Sequence, residues 1–457
     1  MIRSRYLTSR MSESLKQRSR GRLIANALSG SWRSSVVPPQ ISVRELEEIT
    51  PLLIQAGAGA LVWSRIRDSA LADSGAAAEL QQMYRLHRLE ASVHIQRIKR
   101  VLEQFRRAGI EPVLVKGWNV ARLYPEAGLR HYFDVDLCVA HDAYAESLKL
   151  VAGMEEDAPY IDLHDELDHL DTMPWAEFFV RTQMVSLCSP RPSRESPANK
   201  IHHEGTEDTE KIRVPCAEDH LRILCVHWLR HGAWKPAGLC DIAAAIETRP
   251  LDFDWQRCLG PDPVRAGWVA CTVGLAQELL GAENRGQGTG VGGPERNVKG
   301  RKSEVRDQGV GSGKWEAESE KREASLPLPL TPDPLPLTPG SLPFARLPRW
   351  LVPAVLRQWS RSLSPNNRYE ALPSLVSNVT EWRNLIGEIY SRLDQPVRAT
   401  VALHGRFNNW PRWPYQLGEL LMHSPEVPKQ LATMFGQFEF PRLRRPDARQ
   451  VSDLPTS

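Results

Sequence analysis

The chain has 457 residues, 41% hydrophobic and 25% charged, enough apolar material for an ordinary core, so neither a wholly disordered nor a fibrous protein is expected. Its 58 basic and 55 acidic residues leave a net charge of +3, too small for charge alone to imply a nucleic-acid or membrane partner. No apolar run approaches the roughly 18 residues of a spanning helix, so no membrane partner is expected.

The first 22 residues carry seven Arg or Lys and a single acid, Glu13, without an apolar signal core. Residues 1–40 are therefore expected to form a disordered basic leader. Seven cysteines without C-x-x-C spacing suit neither a disulfide framework nor a zinc ribbon, and a reducing, cytoplasmic setting is expected.

From 41 to 108 the pattern is helical: Leu46, Ile49, Leu52 and Leu53 recur at helical spacing. Met83, Leu86, Leu89, Val93, Ile95, Ile98, Val101, Leu102 and Phe105 continue along one long helix that Gly109 ends. The character then changes. Short apolar strands at 112–115, 135–139, 160–163, 184–188 and 212–214 alternate with helical stretches at 118–124 and 144–151, which marks 109–215 as an α/β unit with a loop insertion at 190–211. Helices are expected at 217–230, 238–247 and 264–280, making 216–282 a helical region. Between Gly281 and Gly313 there are ten glycines, and proline then recurs every second to fourth residue from Pro327 to Pro343, so 283–342 reads as a disordered Gly/Pro-rich linker. Helical patterns at 347–361 and 372–392 give a helical C-terminal region, 343–440, followed by a basic tail at 441–457.

Chemistry concentrates in VLVKGWNVARLYPEAGLRHYFDVDLCVA, residues 113–140. Asp134 and Asp136 stand two apart at the start of a strand, so both project from one face and can converge on one cation. Oxygen ligands without neighbouring His or Cys favour Mg²⁺ or Mn²⁺. Upstream, Lys116-Gly117 marks a strand-to-helix turn, where free N–H groups and a missing Cβ let a phosphate approach, with Lys116 adding charge.

Strand, Lys-Gly, helix, Arg and D-x-D in this order resemble the nucleotidyltransferase fold superfamily, and within it the bacterial group of uncharacterised nucleotidyltransferases. Lys116, Gly117, Tyr124, Arg130, Asp134 and Asp136 stand at the matching positions, and the resemblance runs from about residue 80 to 282. It implies an α+β protein: a small mixed β-sheet nucleotidyltransferase domain flanked by helical N- and C-terminal regions, with a disordered insertion. It further implies a third carboxylate from a neighbouring strand. Asp162 in IDLHDELD is the matching acid, in an acid-x-His motif with His164, and Asp165, Glu166 and Asp168 compete in the same stretch. Asp134, Asp136 and Asp162 would then be the catalytic, metal-holding acids, with Lys116, Gly117 and Arg130 positioning the phosphates of an NTP such as ATP. An NMP would pass to a hydroxyl of an unknown acceptor: protein, RNA or small molecule.

The helical region carries His220, His227 and His231. The last two stand at i, i+4, a spacing that can chelate zinc, yet the glutamate of H-E-x-x-H is missing and no third ligand is evident. The same stretch resembles the group's H-x-x-x-H helix before an Asp-Ile-Ala helix, here Asp241-Ile242-Ala243, which either closes the cleft or pins the helices together. Finally, RFNNWPRWPY (406–415) interleaves Trp with Arg as a single-strand-binding platform does, and RLRRPDAR (442–449) is basic. Two other readings therefore stand beside the enzyme: a catalytically inactive binding protein on the same fold, and an RNA-binding protein.

Overall fold

The computed structural model describes residues 17, 19–167, 169–170, 174–187, 210–283, 346–361 and 395–423. Asp168, nearly all of the 190–211 insertion, the 284–342 linker, the expected helix at 372–392 and the basic tail lie outside the described residues.

Among the described residues five strands form one mixed sheet in the order β3-β2-β1-β5-β4, with β1 Val113–Leu114, β2 Val135–Cys138, β3 Ile161–His164, β4 Gln183–Ser186 and β5 Lys211–Val214. β1 runs antiparallel to β2 and parallel to β5, while β2 and β3 are parallel and β4 and β5 antiparallel. The fold is α+β, as expected. Alternation along the strands sorts the side chains. Val135 and Leu137 of β2, with partly buried Ile161 and Leu163 of β3, turn to the core shared with Ile98, Leu102 and Phe105. Cys138 turns to the other face, against Val113, Val115, Phe178 and Ile223. Asp136 shares that second parity, as does Asp162 on β3.

The N-terminal helices are shorter and more numerous than one continuous pattern suggests. Residues 19–28 are helical (α1), followed by α2 Val43–Gln55, α3 Gly59–Ile66 and α4 Gly75–Arg107. Ser42 caps α2 in a capping box, its hydroxyl accepting from the Glu45 N–H while the Glu45 carboxylate accepts from the Ser42 N–H. Gly57, with φ +68°, turns the chain between α2 and α3. Along α4, Leu86, Leu89 and Val93 face outward, whereas His87, Ala91 and His94 are buried. Hydropathy at these positions points to the wrong face, because the groups that cover α4 here are the polar-edged rings of His131 and Tyr132 rather than another apolar element.

The expected disordered leader needs correction over 19–40. Ile24, Ala25, Ala27, Leu28 and Trp32 are buried in the helical core, Ser29 Oγ donates to the Leu280 carbonyl at 2.7 Å, and Arg33 pairs with Glu247 at 2.7 Å. Basic composition concealed a short amphipathic helix whose Arg20 turns outward to Glu48.

The same core collects α5 Trp118–Ala121 through neighbouring Val120 and Tyr124, and then α8 Ala217–Arg230, α9 Pro236–Thr248, α10 Trp255–Leu259 and α11 Pro263–Leu280. α6 His141–Ala152 and α7 Trp175–Val180 flank the sheet; α12 Leu351–Trp359 and α13 Pro396–Ala402 complete the helical half, and α14 Trp413–His423 packs on α13. The indole N–H of Trp359 donates to Ala233 O at 3.0 Å and that of Trp268 to Gly405 O at 2.8 Å, so chain segments on either side of the linker share one core. No described helix is long and apolar enough to cross a membrane.

Candidate functional site

A cleft of about 530 Å³ lies where β2 and β3 meet the start of α9. Its walls include the six residues expected to hold the metal and the phosphates: Lys116, Gly117, Arg130, Asp134, Asp136 and Asp162.

Local backbone geometry sets these side chains in place. After β1, the Val115 N–H donates to the Asp136 carbonyl at 3.0 Å, extending the β1–β2 ladder by one residue. The chain then turns at Gly117, with φ +58° and ψ −111°, into α5. A Cβ on Gly117 would stand 2.8 Å from the Asp134 carbonyl oxygen, so only glycine lets the Lys-Gly turn lie flat against the strand bearing the acids. Lys116 Nζ reaches Asp136 Oδ1 at 2.5 Å, and both side chains are largely buried.

Register brings Asp162 beside Asp136. β2 and β3 pair with Asp136 opposite Asp162 and Cys138 opposite His164, and neighbouring strands lie about 4.8 Å apart. His164 Nε2 stands 3.2 Å from Asp162 Oδ2 and 3.8 Å from Asp136 Oδ1, close enough for charge attraction but not aligned for a hydrogen bond to either. Asp136 and then Asp162 hold the imidazole pKa up to about 9, while His164 holds the Asp162 carboxyl below its ordinary value. Asp134, just before β2, is exposed; partial burial, then Asp136 and Asp162, push its carboxyl up. One ligand atom each from Asp136, Asp162 and His164 lies within 4.8 Å of the others, a set able to hold a metal ion. The competitors for the third carboxylate differ in surroundings: Asp165 turns to His141 at 3.6 Å, and neither it nor Glu166 lines the cleft.

Arg130 occupies the cleft wall in a specific way. Its Nε donates to both carboxylate oxygens of Asp241 at 2.8 Å, and the Tyr124 hydroxyl donates to Asp241 Oδ1 at 2.7 Å. Arg130 is thereby tied to α9 while it lines the cleft. Tyr124, Arg130 and Asp241, singled out separately in the sequence, form one buried cluster that joins the sheet unit to the helical half.

The three histidines of α8 and its C-terminal end separate. His227 and His231 line the cleft with ring centroids 4.5 Å apart, His169 stands 5.5 Å from His227, and burial pushes the His227 imidazole well below its ordinary pKa. His220 is buried elsewhere, and burial followed by the charge of Arg122 pushes its pKa down to about 3. Among the described residues the three do not form a metal-ligating set.

Sequence reasoning missed Lys235, which lines the cleft beside Ala237 and Gly238 at the start of α9. Lys235-Pro236 is a basic residue ahead of a helix-initiating proline, the signal that marks a helix N-terminus able to face an anion. The Trp/Arg segment is used internally. Arg412 donates to the Trp410 and Arg406 carbonyls and lies over Trp350 and Tyr415, leaving Trp410 and Trp413 exposed.

The mixed sheet, with D-x-D beside D-x-H across a Lys-Gly turn, is consistent with a nucleotidyltransferase domain. Residues 42–261 match the model of the family described as uncharacterised nucleotidyltransferase, a similarity that covers just under half of the chain. The match starts at 42 rather than near 80 and stops at 261 rather than 282, so it includes α2, α3 and all of α4. No curated protein and no solved structure matches the chain. The match supports a general nucleotidyltransferase role.

Proposed function

We propose that the chain transfers an NMP from an NTP to a hydroxyl group of an acceptor, with residues 109–215 as the catalytic unit and the helices of 216–282 closing the cleft. The observation that carries this reading is the convergence of three acids, a Lys-Gly turn and the start of α9 on one 530 Å³ cleft. Its size lies within the usual range for small-molecule sites, roughly 300–1,000 Å³.

The donors fit a divalent cation: the Asp136 and Asp162 carboxylates converge, and Asp134 lines the same cleft. Asp134, Asp136 and Asp162 would hold Mg²⁺ or Mn²⁺, which when bound offsets the negative charge on the transferred phosphoryl group. The chain's own groups do the rest. Lys116, now spent on Asp136, exchanges that partner for a phosphate oxygen; the Gly117 backbone gives the phosphates close approach, and Lys235 with the start of α9 supplies positive potential from the facing wall. Asp162, the more exposed strand acid, is oriented by His164 and accepts the proton of the attacking hydroxyl. The acceptor oxygen bonds to the α-phosphorus as the α–β bridging P–O bond breaks, and pyrophosphate leaves.

The test uses α-labelled NTP, Mg²⁺ and fractionated cell extract. The wild-type protein is expected to label one fraction of protein, RNA or small molecules, and Asp162→Asn to abolish labelling while nucleotide binding by calorimetry largely survives. Nucleotide binding that is metal-independent and unchanged in folded Asp134→Ala and Asp136→Ala variants would sink the reading and favour a binding protein on the same fold.

A further inference from the structure

Away from the acids, a second set of side chains converges. His87 and Glu90 stand at i and i+3 on α4, so both leave the same face of the helix. The loop that leads to the D-x-D strand presses onto that face: at Gly128, φ is +86° and a Cβ would lie 2.7 Å from the Arg88 backbone. Three residues later His131 reaches back to the helix. Its Nε2 stands 3.1 Å from Glu90 Oε2, and its ring stacks on His87 with centroids 4.5 Å apart. One ligand atom from each of the three residues lies within 4.8 Å of the others.

A simple His131–Glu90 ion pair leaves polar atoms unexplained. His87 is only 4% exposed and its Nδ1 has no hydrogen-bond partner; Glu90 Oε2, although near His131, is buried without a hydrogen bond. Buried polar atoms are nearly always bonded, so two orphans converging in one cluster need an account. We propose that His87, Glu90 and His131 bind a divalent transition-metal ion of the Zn²⁺ class, which ties the loop carrying Arg130 and Asp134 to α4.

The donor set decides the class of ion. Two imidazoles and one carboxylate match the ligands of three-residue zinc sites, which keep a further position open for water or another ligand. Mg²⁺ depends on oxygen ligands and on negative charge, and here there is one carboxylate while the charges of Arg130 and Lys235 both bear on His131. An ion that gains from nitrogen donors tolerates that field better. His131 also lines the acidic cleft, so the ion would act on it as a positioning group, by holding the loop.

The experiment titrates metal-stripped full-length protein with Co²⁺ as the probe, follows its d–d absorption, and displaces it with Zn²⁺. Wild type and the Asp162→Asn, His164→Gln double variant are both expected to give the four- or five-coordinate Co²⁺ spectrum, because the second variant alters only the acidic cluster. His87→Gln and Glu90→Gln are expected to weaken binding at least about tenfold, the lower end of what even an outer-sphere partner of a metal site contributes. Zn²⁺ is expected to slow amide exchange across residues 128–134 in wild type and not in Glu90→Gln, whose partly exposed side chain makes it the variant to rely on should His87→Gln fail to fold. No Co²⁺ spectrum in wild type, or a spectrum lost in the Asp162, His164 variant and kept in Glu90→Gln, overturns the proposal.

Discussion

The sheet unit and the helical half of this molecule are built from the chain in different ways. Every strand that supports the cleft comes from residues 113–214, and its acids are fixed by contacts among near neighbours in sequence or across one ladder: Lys116 with Asp136, Asp136 opposite Asp162, Gly117 against Asp134. The helical core instead gathers Leu28, Leu53, Leu61, Leu80, Val226, Ile242, Leu275, Leu351 and Val401, contributed from both ends of the chain. Chemistry is therefore local while its support is distributed. A substitution in the first region should cost activity more than stability, and one in the second the reverse.

The sharpest form of that contrast is Asp136→Asn. Asn keeps the volume of a buried side chain and a hydrogen-bonding oxygen for Lys116 but removes the charge. Nucleotidyl transfer per folded molecule is expected to fall by about 10²–10³-fold, the scale on which loss of one preorganised electrostatic group acts, with a smaller loss of stability than truncation would cause, because Asn still accepts from Lys116. A variant that unfolds while its residual activity per folded molecule stays high would erase the distinction between the two regions.

Next in size is the buried cluster that bridges them. Removing one partner of a buried ion pair strands the other charge and costs about 3–5 kcal/mol. Asp241→Ala, leaving Arg130 and the Tyr124 hydroxyl without their acceptor, is expected to lose stability on that scale in urea melts. Arg130→Lys should recover little, because a lysine cannot reproduce the Arg130 contact to both carboxylate oxygens. On the purely helical side, Leu28→Ala truncates a fully buried side chain in a segment that composition assigns to a leader. The expected loss is about 2–5 kcal/mol, read from the same melts; an unchanged melt would return residues 19–32 to the solvated leader.

These magnitudes bear on what was legible in the sequence. D-x-D and Lys-Gly were readable because their chemistry needs residue types at short fixed spacing, and the family pattern added Arg130 and Asp162 to them. The partner of Arg130 was not readable, since Asp241 lies 111 residues away and pairing of that kind leaves no local signature. Lys235 escaped for a related reason: its value depends on which wall of the cleft receives the start of α9. α4 illustrates a different failure. Leu86, Leu89 and Val93 carry the stronger hydropathic signal, yet the face bearing His87 and His94 is the buried one, because a loop of polar-edged rings covers it. Ile24, Ala27 and Leu28 were in plain view, but the flanking arginines dominated the composition of the segment.

A smaller effect is expected at Gly117→Ala. The new Cβ would meet the Asp134 carbonyl at 2.8 Å in a backbone conformation that L-residues rarely adopt. A strain of about 1–3 kcal/mol follows, together with a shift of the Asp134 backbone that should raise the KM for the nucleotide more than it lowers kcat.

The smallest expected effect discriminates most among the acids. Asp165 and Glu166 follow His164 directly, and spacing alone cannot separate them from Asp162 as the third carboxylate. Parity and register place them differently. Asp162 stands opposite Asp136 and on the cleft wall, whereas Asp165 lies beyond the end of β3, turned to His141 at 3.6 Å, and Glu166 is exposed outside the cleft. Partly exposed side chains with one loose partner contribute little, so Asp165→Asn and Glu166→Gln are each expected to change stability by less than about 0.5 kcal/mol and to leave label transfer close to wild type. Asp162→Asn in the same assay should abolish it. If Asp165→Asn abolished transfer instead, the carboxylate would have to reach the cleft by a rearrangement after β3, and the β2–β3 register could no longer be what assembles the acids.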